Sequence, residues 1–383
     1  MCKLSLNVYL LSRLKLLAVM FVFLFPTVNC HAQDEGIKIG IIGALSGPKS
    51  AYGISHLQGA QLATEEINAQ TQNDMKKLIL VPVDDKGETG LVGNLVADLI
   101  YRRRVAAIMG SVDSGCTHVV SMMAVKAHIP HLTCVATDPS LTRAGSPWTF
   151  RTLADDEKQS KALIEWLVNK KGVKKISLIA VNSRYGKMGT KIFIRQSREA
   201  GCEIHGPFFV QDDLNSHDEA VAASLLSQPE AVVVWTLAQD GIKSITRLKR
   251  AKFRGIIAGG DGLASPLFYA AEDPAVEGTV ITCPYDDGNP SLLNTAFTKK
   301  FAEKFGRPPD SFAAHAFDSI KLLYFAAIDS NGDRDLMRAR LASTGEYAGV
   351  TGVIGFDRFG NDTRQVMLAQ CSSKKLVMLK KEN

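Results

Sequence analysis

Long apolar runs and paired cysteines are both scarce in this sequence of 383 residues. After residue 32, no stretch approaches the roughly 18 uninterrupted apolar residues of a membrane-spanning helix. The seven cysteines include no Cys-x-x-Cys pair, and five of them follow residue 32 at wide spacing. An odd number of widely spaced cysteines does not form a disulfide scaffold. The sequence leaves open whether two of these five form a disulfide: Cys116, Cys134, Cys202, Cys283 and Cys371.

Catalytic signatures are missing as well. The eight histidines form no His-Glu-x-x-His pattern, and "GALSG" is out of register with the Gly-x-Ser-x-Gly motif of hydrolases. The glycines of "GIIGALSG" do not fit the Gly-x-Gly-x-x-Gly fingerprint of dinucleotide binding. We therefore expect neither an enzyme nor a bound metal or cofactor.

The first 32 residues have the pattern of a secretory signal peptide. Three basic residues precede the apolar run Leu16–Phe25, and a small-residue site ends at Ala32. We expect cleavage after Ala32 and export to the periplasm. Lipid anchoring at Cys30 is less favoured, because Thr27 and Asn29 stand where a lipobox carries Leu and a small residue. Removing the leader lowers the net charge from +6 to +3, and so small an excess does not indicate nucleic-acid binding.

From Ile37 onward, apolar strands alternate with amphipathic helices. The strands of the first run are "IKIGIIGAL", "KLILVPVDD", "VAAIMG" and "IPHLTCVA", and those of the second are "KKISLIAV", "EIHGPFFV", "AVVVWT" and "GIIAGG". This alternation is typical of parallel sheets covered by helices on both faces. We predict an α/β protein of two doubly wound lobes, the first comprising residues 33–154 and 285–366, the second residues 155–284 and 367–383.

Polar residues follow three of these strands, at the sheet edge where ligands of α/β proteins bind. Ser114 is placed to donate a hydrogen bond from its hydroxyl to a carboxylate. The backbone amides of Ser114 and Gly115 would face the same carboxylate. Thr137 follows the next strand, and Asp261 follows "GIIAGG" in the second lobe. Together they predict a site for a zwitterion. Simpler interpretations stay open: Ser114 and Asp261 as helix caps, and Thr137 as part of an Asp-Pro turn.

Several motifs resemble the periplasmic solute-binding proteins of the leucine/isoleucine/valine-binding type. The first is "IKIGIIGALSGPKSAYGISHLQGAQLATEEINA", and it is followed in order by "DDKGETG", "ATDPSLT", "YGKMG", "GGDGLASP", "AFDSIKLL" and "GFDRFGND". The resemblance covers nearly all of the chain after the leader. It implies two Rossmann-like lobes, joined by three hinge crossovers, that close on a ligand.

The resemblance also implies roles for single residues. Ser114 and Thr137 match the residues that hold the carboxylate of an amino acid, and Val135 and Ala136 match positions that contact it through the backbone. Asp261 matches the acidic residue that holds the ammonium. Two tyrosines match pocket residues, one as a lid and one as part of the wall: Tyr52 and Tyr185.

Three departures from the family pattern concern the pocket. The cysteines that join two turns in branched-chain binders are replaced by Gly87 and Asp113, and Asp113 brings a carboxylate beside the anion site. Asp261 stands where the longer Glu is usual, and residues 236–238 replace an aromatic position. These changes suggest a ligand larger or less simple than leucine.

The resemblance implies an ABC-transporter receptor, a monomer that binds an amino acid or related small carboxylate. Its partners would be permease subunits in the inner membrane. A periplasmic sensor that presents its bound form to a membrane kinase or chemoreceptor is the alternative, because the same fold serves both.

Overall fold

The computed structural model describes residues 36–71, 76–143, 146–211 and 213–379. The predicted signal peptide, its cleavage site and Cys30 lie outside the described residues. Within these ranges, no helix combines the length and the apolarity needed to cross a membrane.

A first sheet is built from the amino-terminal part of the chain. Its strands are β1 Ile37–Gly43, β2 Leu78–Asp84, β3 Ala107–Gly110, β4 His131–Thr133 and β5 Thr149–Arg151. All five are parallel, in the order β2-β1-β3-β4-β5. The helices of this part are α1 Ser50–Gln70, α2 Thr89–Ala97, α3 Ser114–Ala127 and α4 Ser140–Arg143. Ile41 and Ile42 enter different hydrophobic clusters, because successive side chains of a strand point to opposite, helix-covered faces.

The second sheet begins with β6 Lys175–Val181, β7 Glu203–Val210, β8 Ala231–Trp235, β9 Ile256–Gly259 and β10 Val280–Cys283. These five strands are parallel as well. The accompanying helices are α5 Asp156–Ile164, α6 Arg184–Glu199, α7 Leu214–Leu225, α8 Ala238–Arg250 and α9 Pro266–Tyr269.

The chain then returns to the first lobe before finishing in the second. The returning elements are α10 Leu292–Phe305, α11 Ser311–Asp329, α12 Arg334–Ala342 and the hairpin of β11 Tyr347–Gly349 and β12 Gly352–Ile354. The last strands are β13 Met367–Ser372, which pairs antiparallel with β10, and β14 Lys375–Met378, which pairs antiparallel with β13. The order of this sheet is β14-β13-β10-β9-β8-β6-β7. The chain thus crosses between lobes three times, and the predicted fold class is confirmed. The exact lobe boundaries stay a prediction.

Two local features were not predicted. The three-residue strand β5 is too short to show an apolar pattern. The helices α2 and α5 each continue into a π-helical segment, Asp98–Arg102 and Glu165–Lys170, where regular helices were expected. All five cysteines of the described residues are buried and unpaired.

The packing of α1 on α11 makes a testable prediction. A Cβ on Gly59 would overlap the backbone carbonyl of Ala313, whereas a Cβ on Gly93 in α2 would meet no atom within 4 Å. We expect Gly59→Ala to lower the free energy of unfolding by about 1–3 kcal/mol through overpacking. Gly93→Ala should raise it by about 0.5–1 kcal/mol, because Ala loses less backbone entropy on folding. Urea unfolding measures both, and equal effects would contradict this account of the helix contact.

Candidate functional site

The carboxyl ends of three neighbouring strands form one side of the site. Ser114 follows β3, Thr137 follows β4 and Asp156 follows β5, and these strands lie side by side in the sheet. The backbone N–H of Asp156 donates to the carbonyl of Thr137 over 2.9 Å. All three residues are buried. Parallel pairing therefore gathers two hydroxyls and a carboxyl at one edge.

Asp113, and not Ser114, is the N-cap of α3. One carboxylate oxygen of Asp113 accepts from the backbone N–H groups of Gly115, at 2.8 Å, and Cys116, at 3.1 Å. The expectation that the Gly115 amide faces a ligand is therefore wrong, because that amide is already bonded. The Ser114 hydroxyl has no hydrogen-bond partner among the residues described, and Ser114 lies on the wall of a cavity.

The second carboxylate oxygen of Asp113 pairs with the ammonium of Lys49. A Cβ on Gly87 would lie 3.0 Å from the Cδ of Lys49, so the lysine also packs against that glycine. The ion pair thus links the two turns whose cysteines are absent. It also neutralises the Asp113 carboxylate that lies beside the predicted anion site.

In the second lobe, Asp261 follows β9 and opens a single 3-10 turn. Its carboxylate accepts from the Tyr185 hydroxyl at 3.1 Å, and that hydroxyl accepts from the backbone N–H of Gly262 at 3.0 Å. Burial raises the pKa of Asp261 to about 6, although the hydrogen bond from Tyr185 opposes the rise. A carboxyl that titrates near neutral pH is typical of functional sites.

Asp156 is fully buried, and neither of its carboxylate oxygens has a hydrogen-bond partner within the described ranges. The Thr137 hydroxyl lies beside it but outside hydrogen-bond geometry. Burial raises the pKa of Asp156 well above its usual range, and the nearby charges of Asp261 and Asp138 add to the rise. A buried polar group without a partner costs free energy. A ligand with a positive group would relieve that cost.

A cavity of about 60 Å³ lies between the lobes beside these groups. Its wall is formed by Lys49, Tyr52, Val112, Asp113, Ser114, Val135, Val181, Ser183, Tyr185, Leu237 and Phe312. Among the predicted site residues, three lie off this wall: Ala136, Thr137 and Asp261. The suggestion of a ligand larger than leucine finds no support in a cavity of this size.

Hydrogen bonds across the cleft hold the lobes together around the cavity. The Tyr52 hydroxyl, from α1 in the first lobe, donates to the carbonyl of Gly262 at 3.1 Å and accepts from the N–H of Ala238 at 2.9 Å. On the other side, Arg184 of α6 pairs with Asp138 at 2.6 Å and donates to the Ser140 hydroxyl at 3.0 Å. Tyr52, predicted as an aromatic lid, therefore also joins the lobes through its hydroxyl.

Sequence reasoning missed several residues of the site. Asp156 went unnoticed because the short strand β5, which places it beside Thr137, was not recognised. The consecutive acids Asp155 and Asp156 at a helix start were the only available signal. Other cavity residues were missed because an apolar residue in a strand or helix gives no sign that it lines a cleft: Val112, Val181, Leu237 and Phe312.

Comparison with known proteins supplies a family. The family model described as periplasmic binding protein matches residues 36–375. The Leu/Ile/Val-binding protein BraC3 of Rhizobium johnstonii is 27% identical over 338 residues, covering 86% of this chain and 89% of its own. Leu/Ile/Val-binding protein homolog 3 of Brucella melitensis is 26% identical over 308 residues, covering 79% of this chain and 82% of its own.

Solved structures agree on the architecture. The branched-chain amino acid transporter substrate-binding protein LivJ of Streptococcus pneumoniae, in complex with isoleucine, superposes with a TM-score of 0.81 at 27% identity. That match covers 90% of this chain and 100% of LivJ. The leucine-binding protein LivK of Thermotoga maritima has a TM-score of 0.83 at 23% identity, covering 90% and 98% of the two chains. The latter likeness concerns the fold alone.

Tyr52→Phe tests the contacts across the cleft. Losing the hydroxyl removes two hydrogen bonds between the lobes, each worth about 1 kcal/mol, while the ring stays in place. We expect a larger radius of gyration for the ligand-free variant in small-angle X-ray scattering. Tyr324→Phe is the matched control, because the Tyr324 hydroxyl donates to the backbone carbonyl of Lys76 within the first lobe at 2.9 Å. Equal radii for wild type and Tyr52→Phe would show that these bonds do not hold the cleft closed.

Proposed function

Because the chain belongs to the periplasmic binding protein family, we propose that it is the exported receptor of an ABC transporter. In this proposal it binds an α-amino acid between its lobes, closes on it as a monomer and delivers it to permease subunits in the inner membrane. The relatives that are named for leucine, isoleucine and valine binding support this class of ligand. The LivJ complex with isoleucine supports it too.

The observation that carries the proposal is the buried carboxyl of Asp156, which has no hydrogen-bond partner within the described ranges. Asp156 and Asp261 are two buried acidic groups near the Tyr185 hydroxyl, and Tyr185 itself lies on the cavity wall. An ammonium group offers three donors and a positive charge, which matches the Asp156 oxygens that lack partners in the described structure and the acidic group of Asp261 beside them. The ligand's ammonium is therefore assigned to Asp156 and Asp261.

The ligand's carboxylate is assigned to the first lobe. The Ser114 hydroxyl is free to donate, and the Thr137 hydroxyl is buried without a partner in the described structure. Ser114 is also the first residue of α3, where the helix dipole favours an anion. Val135 and Ala136 lie on the turn between these groups and supply backbone contacts in this assignment.

The remaining wall indicates an aliphatic side chain of modest size. Val112, Val181, Leu237 and Phe312 are all apolar, and the cavity between them is small. The one cationic side chain on the described wall, Lys49, is already paired with Asp113. An apolar ligand side chain gains from burial there, whereas a charged one would lose its hydration.

Two substitutions test the ammonium assignment. We expect Asp156→Asn and Asp261→Asn each to weaken binding of an α-amino acid by at least about 2 kcal/mol, roughly thirtyfold, because an ammonium loses its ionic partner. Ser114→Ala should cost less, since backbone groups remain. Isothermal titration calorimetry with L-leucine, L-isoleucine and L-valine measures this, and Asp335→Asn on the exposed face of α12 is the control.

The des-amino analogue of a bound amino acid sharpens the test. For isoleucine this is 3-methylpentanoate, which keeps the carboxylate and the side chain. If isoleucine and 3-methylpentanoate bind equally tightly, the carboxylate assignment is retained, but Asp156 and Asp261 do not hold an ammonium. If no amino acid binds at all, the proposed ligand class is wrong.

The raised pKa of Asp261 predicts a pH dependence. Only the ionised carboxylate of Asp261 attracts an ammonium, so ligand binding lowers the pKa of Asp261. Well above pH 6 this carboxylate is already ionised, and its contribution to the affinity is constant. Between pH 7 and pH 5 the affinity should fall about tenfold from the protonation of Asp261 alone. Calorimetry in the Asp261→Asn background should show a shallower fall. An affinity that rises on acidification would contradict the assignment.

A further inference from the structure

A second groove lies on the second lobe and shares no residue with the cleft cavity. We call it the hinge groove; it has a volume of about 610 Å³, within the range of small-molecule sites. One wall is formed by α5 and the π-helical segment Glu165–Lys170, the other by residues 363–368 of the third crossover with Asp286, Met378 and Leu379. This volume is about tenfold larger than that of the cleft cavity.

The floor of the hinge groove is apolar. Trp166, Leu368 and Leu379 are partly buried and pack against the hydrophobic cluster of the second sheet. Met367 is 36% exposed. An aromatic or aliphatic body placed there would remove apolar surface from water, which is the main favourable term in small-molecule binding.

The rim of the hinge groove is cationic. Lys158 and Arg364 are occupied: Lys158 donates to the carbonyl of Asp362, and Arg364 to the carbonyl of Thr152 at 2.5 Å. Lys161 and Lys170 have no acidic partner among the residues described. Arg364 is also paired with Asp362 at 2.7 Å. The three lysines of the lining therefore exceed its two acids, Glu165 and Asp286, by one positive charge. An anionic group is the complement of this rim.

The π-helical segment supplies a second observation. Its widened turn interrupts the regular helix where Trp166 and Lys170 meet the groove. Such segments are rare and occur frequently at functional sites. Here the segment brings Trp166 of the apolar floor and Lys170, which has no acidic partner among the described residues, to one groove.

We propose that the hinge groove binds an organic anion with an apolar body, of the class of aromatic or medium-chain carboxylates. Its body lies on Trp166 and Leu368, and its charge lies between Lys161 and Lys170. A molecule bound there touches both the first helix of the second lobe and the third crossover. The site is separate from the cleft, so the proposal does not depend on the amino-acid assignment above.

Naphthalene-2-carboxylate and octanoate are suitable probes, titrated into residues 33–383 by calorimetry and by Trp fluorescence. We expect binding of at least one probe below about 1 mM. Lys161→Glu with Lys170→Glu should weaken it at least about tenfold through like-charge repulsion. Lys249→Glu with Lys252→Glu, at the end of α8 on the same lobe, is the matched control and should leave the affinity unchanged. Thermal melting verifies that each variant folds.

The cleft variant Asp156→Asn with Asp261→Asn separates the two sites. It should retain probe binding while losing amino-acid binding. Trp166→Phe should abolish the probe-induced fluorescence change. This variant tests the proposal independently if the charge-reversed protein does not fold. The proposal is overturned if neither probe binds at about 5 mM. It is also overturned if the charge-reversed variant binds as wild type does, or if the cleft variant loses the probe.

Discussion

The cleft depends on how the fully buried guanidinium of Arg151 is compensated. It donates to the backbone carbonyl of Asp138 at 2.8 Å and to the side-chain oxygen of Asn361 at 2.5 Å, and it lies 3.8 Å from the carboxylate of Asp155. A buried charge is tolerated only with such partners. They belong to the turn that carries Thr137, to the start of α5 and to the chain that approaches the third crossover. One side chain therefore fixes the turn of Thr137 and the approach to the third crossover together.

Around this fixed framework, the cleft keeps polar groups that are not compensated. Asp156 lacks hydrogen-bond partners in the described structure, and burial raises its pKa and that of Asp261. A protein selected for stability alone would pair or remove such groups. In the function proposed above, a ligand with an ammonium group offsets the free-energy cost of burying them. On that proposal, the groups that destabilise the ligand-free protein are the ones that bind the ligand.

The sequence predicted the architecture well, because apolar strands and amphipathic helices alternate over most of the chain. It did not fix the roles of Ser114, Thr137 and Asp261. The sequence pattern of a polar residue at a strand end is the same for a helix cap, a turn residue and a ligand contact. Asp156 was not predicted, because β5 has only three residues and was not recognised as the strand that precedes it. The pairing of Lys49 with Asp113 joins positions 64 residues apart in sequence, and no local pattern encodes such a contact.

The cysteines affect how long the protein remains folded outside the cytoplasm. All five that the structure describes are buried as free thiols. Burial raises the pKa of each of them, which disfavours the reactive thiolate. Within residues 36–379 as described, the folded protein therefore needs no disulfide and presents no reactive thiolate to an oxidant. Unfolding in an oxidising compartment would expose all five at once, and disulfides formed at random would then block refolding. In that compartment the lifetime of the receptor is set by how rarely it opens, rather than by the equilibrium between its folded and unfolded forms.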